Sequence, residues 1–162
     1  MDLSGQALLP AAAVPRIGEL VMVTTGSRSL AWPSAQIEAA LRSAAGGQRV
    51  LALFHGAARG ADALVDQAAR RIAWSVRPVP AAWSVFGPAA GPIRNRQMLE
   101  AAAALAQRHG AELVVLAFPG GGGTASCLRE AQRLKRSSML PVRIEHAGSR
   151  SQGVGRMQRR LA

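Results

Sequence analysis

The chain has 162 residues, about half of them hydrophobic, so it can bury one core of its own without a disulfide or a metal. Its single cysteine, Cys127, excludes an internal disulfide, and no uninterrupted apolar run approaches the roughly 20 residues that span a bilayer. The net charge of +11 rests on arginine, with Lys135 the only lysine, and fits either nucleic acid or a small anionic ligand.

Residues 1–17 are rich in Ala and Pro, lack a sustained period and read as a flexible lead-in without the charged start and apolar core of a signal peptide. A soluble, cytoplasmic protein is therefore expected. A strand is predicted over Glu19–Thr24, followed by the loop Thr25-Gly26-Ser27-Arg28. Ser34 is expected to cap a helix to about Ala45 that carries Ile37, Ala40 and Leu41 on one face, and Gly46-Gly47 ends it. The apolar run Val50–Phe54 reads as a second strand, and the loop His55–Asp62 leads from it into a helix. Asp62 is a candidate cap there, with Leu64, Val65, Ala68, Ala69 and Ile72 at helical spacing.

A short third strand is expected over Ser75–Val79. The Pro80–Pro92 segment, with Trp83, Phe86, Gly87, Pro88 and Gly91, reads as irregular. Pro92 then opens a long helix to about Arg108, which Gly110 ends. The apolar strand Ala111–Phe118 runs into Pro119-Gly120-Gly121-Gly122-Gly123-Thr124, a helix follows from Thr124 to about Arg136, and Pro141–Ile144 is a last strand. Alternating strands and helices predict a three-layer α/β/α domain over 18–145, with a mostly parallel sheet of about five strands. Residues 146–162, which include Arg150, Arg156, Arg159 and Arg160 and no acid, form a basic tail.

The glycine run is the strongest chemical signal. Glycines let backbone N–H groups come close to a ligand, and the unpaired N–H groups of the next helical turn add the positive end of its dipole. Two other loops repeat the theme: Gly26-Ser27-Arg28, and His55 to Asp62, where Gly56 and Gly60 bracket the planar fork of Arg59. In a parallel sheet all three gather at the carboxyl ends of the strands, so one shared anion site is expected. On the long helix, Arg94 and Arg96 cannot face one way, and Arg94 is taken as the ligand-facing residue, beside Asn95. His55 suits a phosphate donor or a satisfied structural group equally, Trp83 either covers a base or, the favoured reading, packs in the core, and Cys127 reads as a buried thiol. His55, His109 and His146 lie far apart in sequence, so neither a metal nor another cofactor is expected. Few aromatic residues remain for base stacking along a nucleic-acid groove.

Together, Gly26-Ser27-Arg28, His55–Asp62, Ala90–Leu99 and Phe118–Thr124 resemble the SLOG superfamily of Rossmann-like nucleotide-binding domains, in particular its YspA-type, cpYpsA-related branch, over roughly residues 19–145. The resemblance implies a nucleotide or nucleotide-derived ligand, bound by a sensor or processing domain of the kind common in phage and mobile elements. It implies a ligand set of Gly26, Ser27, Arg28, His55, Gly56, Arg59, Gly60, Asp62, Arg94, Asn95, Gly120, Gly121, Gly122, Gly123 and Thr124. The related LOG phosphoribohydrolases pair an arginine, matched by Arg94, with a glutamate in Pro-Gly-Gly-x-Gly-Thr-x-x-Glu, where this chain has Cys127. Asp62, Glu100 and Glu130 are the acids left to replace it, and Asp62 with Arg94 is the catalytic pair this alternative requires. The related DNA-processing protein DprA supplies the other alternative, nucleic-acid binding through the basic surface and tail. No membrane partner is expected, and a homo-oligomer is left open.

Overall fold

Five strands alternate with helices in the computed structural model, which describes residues 18–148. They are β1 (Glu19–Thr25), β2 (Arg49–His55), β3 (Val76–Pro78), β4 (Glu112–Ala117) and β5 (Val142–His146), all parallel in the order β3-β2-β1-β4-β5. The chain winds outward from β1 to β3, crosses the sheet and winds outward again from β4. That order places a topological switch point beside the central strand, where open α/β sheets bind ligands.

Pleating sends alternate β1 side chains to opposite layers. Leu20 and Met22 pack with Ile37 and Leu41 of α1 (Ser34–Ala45) and Val65 of α2 (Ala61–Arg71). On the other face, Val21 and Val23 pack against Met98, Leu99 and Ala102 of the long helix and against Cys127 and Ala131 of the last one. The fold is thus a Rossmann-like three-layer α/β/α domain. Among the described residues, no helix is long and apolar enough to cross a membrane.

Several boundaries differ from the expected ones, each for a local reason. Ser34 does not cap α1. Pro33 occupies the cap position with φ −57° and ψ 146°, and the Ser34 hydroxyl instead accepts from Arg71. Asp62 does not cap α2 either, because Gly60 at φ +72° holds the cap position and the helix starts two residues earlier, at Ala61. The Pro80–Pro92 segment is helical in pieces: α3 (Trp83–Phe86) ends at Gly87, whose φ of +54° turns the chain into a 3₁₀ turn over Gly87–Ala89, and α4 runs from Ala90 to His109. Pro88 and Pro92 lie in first turns, where no N–H is required. Helix α5 spans Gly122–Ser137, so Gly122, Gly123 and Thr124 belong to its first turn rather than to a loop. Strand β5 continues to His146, one residue past the expected domain boundary. The lead-in 1–17 and residues 149–162 of the basic tail lie outside the described residues.

Candidate functional site

The loops after β1, β2 and β4 are joined through the backbone. Ser27 N–H donates to the Pro119 carbonyl at 2.9 Å, and the Ser27 carbonyl accepts from Ala61 N–H at 2.9 Å. Phe118 N–H donates to the Thr25 carbonyl at 2.8 Å. Phe118 is buried beneath this junction, with Trp32 meeting it edge to face at 5.6 Å. Such close approach needs glycine: a β-carbon at Gly26 would lie 2.6 Å from that of Ala61 and 2.9 Å from that of Phe118.

Above the junction opens a cleft of about 600 Å³, within the usual range for small-molecule sites. Of the expected residues, Gly26, Ser27, Arg28, Asp62, Arg94, Asn95, Gly121, Gly122, Gly123 and Thr124 line it. Gly121, Gly122 and Gly123 have nothing within 4 Å of where a β-carbon would stand. The start of α5 is therefore bare backbone beside open space. Also lining the cleft, Arg94 is held by its neighbours: Nη1 donates to the Gly56 carbonyl and, at 3.5 Å, to that of Val79, while Nε donates to Asn95 Oδ1 at 2.9 Å. Asn95 Nδ2 in turn donates to the Gly123 carbonyl at 3.4 Å, linking α4 to α5. Burial pulls the Arg94 pKa below the ordinary guanidinium value, and the nearby Asp62 carboxylate opposes this. Arg96, two residues on, points to α5 and lies 3.9 Å from Glu130.

Asp62 is the only carboxylate among the lining residues. It accepts from Ala58 N–H at 3.1 Å, and burial raises its pKa despite that bond and the nearby Arg94 guanidinium. The folded state therefore binds the proton more tightly than the unfolded state does, so stability falls as pH rises from the ordinary value of 3.8 through the raised one. Asp62→Asn is expected to remove that decline. Urea unfolding from pH 4 to pH 8 should show the wild-type protein losing ground against the variant as pH rises, and parallel curves would refute the assignment.

The remaining expected residues do not reach the cleft. The His55 ring is buried, its Nδ1 accepting from Ala57 N–H at 3.0 Å, which leaves Nε2 to donate to Asp66 Oδ2 at 2.7 Å. His55 thus ties the end of β2 to α2, the structural role of the two expected. Arg59 is exposed and does not line the cleft. Gly56, Gly60 and Gly120 stand behind the wall, where a β-carbon would meet Arg94, the Ser27 and Arg28 backbone, and Thr124 respectively. Cys127 is fully buried, which pushes its thiol up to about 11 despite a hydrogen bond with Thr25. Glu100 and Glu130 line a separate groove between α4 and α5. Among the described residues, no three of His, Cys, Asp or Glu gather as a metal site.

Sequence reasoning missed Thr25, Ser126 and Arg129, covered Ala58, Gly91 and Pro92 only through the expected binding loops 55–62 and 91–96, and favoured the core for Trp83, which is 46% exposed and lines the cleft. Ser126 and Arg129 follow Gly122 at helical intervals of four and three residues. Placing the helix start at Gly122 would have found them.

No protein-family model matches the chain. It is similar to the Gene 61 protein of Mycobacterium phage D29, at 41% identity over 90 residues, which is 51% of this chain and 65% of the phage protein. The match thus spans a little under two thirds of that relative's length. Among solved structures, the X-ray structure of TM1055, a structural genomics target, resembles it with a TM-score of 0.49 at 20% identity, covering 77% of this chain and 72% of that one. DNA processing protein A (DprA) from Streptococcus pneumoniae gives 0.40 at 16% identity, covering 75% and 57%.

Proposed function

We propose that this protein is a cytoplasmic SLOG-type domain of the YspA-like, cpYpsA-related branch, and that its cleft binds a nucleotide or nucleotide-derived ligand as a sensor or processing domain. The observation that carries the reading is the bare glycine start of α5 sharing one cleft with Arg28 and Arg94. Backbone donors, a helix dipole and two guanidinium groups converge there with a single carboxylate against them, an arrangement suited to phosphate. The phage relative accords with the mobile-element setting of that branch. Residues 18–146 form the binding domain in this reading, and the basic residues beyond add diffuse attraction to polyanions.

The test is a thermal-shift panel of nucleotides followed by calorimetry. A ligand that binds only the folded state raises the unfolding midpoint with its concentration. A dose-dependent rise with nucleotides, beyond that given by sulfate at equal ionic strength, is expected. A panel in which sulfate does as well as every nucleotide would overturn the proposal.

One observation favours a second reading, N-glycosidic hydrolysis by Arg94 and Asp62: the cleft's one carboxylate shares its lining with Arg94, where it can stabilise positive charge developing on a ribose. Because Cys127 stands where the LOG pattern has glutamate, release of free base from adenosine or guanosine monophosphate is expected to be absent or very slow. Chromatography of an overnight incubation decides it, and robust release lost in Asp62→Asn would establish the hydrolase.

A further inference from the structure

Trp83 is out of place for a structural tryptophan. It opens the four-residue helix α3 and stays 46% exposed at the rim of the cleft, where it is the only aromatic residue among those lining the space. Two neighbours fix its position. The ring edge rests over the first turn of α4, where a β-carbon on Gly91 would come within 3.3 Å of Cη2. The Arg28 guanidinium carbon lies 5.2 Å from the ring centroid, joining the loop after β1 to α3 by a cation–π contact.

The rest of the lining is glycine, small side chains, hydroxyls and charge, which bind phosphate or sugar but offer no flat surface. We infer that Trp83, with Arg28 lying over it, is the platform on which the heterocyclic base of the ligand stacks, so that it selects nucleotides over other phosphorylated small molecules. A base joins the stack either on the free side of the guanidinium or in its place on the indole, and both arrangements need the ring. Phosphate affinity and base affinity then reside on different elements, the first at α5 and the second at α3. The inference rests on the nucleotide reading of the cleft.

Calorimetry with adenosine monophosphate, guanosine monophosphate and ribose 5-phosphate separates the two. The wild-type protein should bind at least one of the nucleotides about tenfold or more tighter than the sugar phosphate. Trp83→Ala should weaken that nucleotide about 10- to 100-fold, the usual worth of one stacked base, and ribose 5-phosphate less than about twofold. Trp83→Phe should restore most of the loss. Equal loss of all ligands in Trp83→Ala would make the ring a brace and overturn the inference. So would unchanged nucleotide binding with a lower oligomeric mass on size exclusion, which would assign the ring to a protein contact. Wild-type protein that binds nucleotide and ribose 5-phosphate equally keeps the cleft reading and defeats the platform, and wild-type protein that binds none of the three defeats both.

Discussion

Gly122→Leu should fold at least as well as the wild-type protein and lose nucleotide binding by about 100-fold or more. Gly122 is the first residue of α5, and a β-carbon there enters open space. Exchanging glycine for leucine within a helix is worth roughly 0.5–1 kcal/mol in its favour. In the cleft the side chain shields the N–H groups at the start of α5. Each hydrogen bond to a charged acceptor contributes on the order of 1.5–3 kcal/mol, so losing two of them accounts for the expected drop. The thermal midpoint and calorimetric affinity should therefore move independently, and retained affinity in the folded variant would remove the phosphate cradle from this site.

The opposite outcome is expected at Gly60, which stands behind the wall. Its φ of +72° belongs to glycine, and a β-carbon would lie 2.4 Å from the backbone of Ser27 and Arg28. No side chain can swing aside, because the obstruction is main chain. Strain and overpacking together predict a loss of about 3–5 kcal/mol for Gly60→Ala. Urea unfolding should show a lower midpoint with an unchanged slope. A loss under about 1 kcal/mol would mean that the loops after β1 and β2 can part, contrary to the tight junction seen between them.

The contrast explains what sequence could reveal. Short β-branched apolar runs such as Leu113–Leu116, bounded by glycines that announce tight turns, read as buried strands, so the layers and the clustering of loops at one end of the sheet were legible. The division of labour among the glycines was not. Gly122 and Gly60 look alike in sequence, and only their neighbours across the fold separate a residue that borders the cleft from one that admits another chain segment. Arg59 is exposed and lies outside the cleft lining, which a loop of known ends does not disclose in advance. Asp62 matched a helix cap because its position is judged locally, whereas the long-range bond between Ala61 N–H and Ser27 helps set where the helix begins. Trp83 lies in a segment without periodicity, where exposure is decided by Gly91 and Arg28 rather than by adjacent residues.

The junction of Ser27 with Pro119 and Ala61 consists wholly of main-chain bonds. The framework of the cleft is therefore indifferent to the side chains it displays at Ala58 and Ser126, so such positions are free to change and take up new ligands while the scaffold is kept. Divergence of chemistry on a constant frame is the evolutionary freedom that such a junction grants.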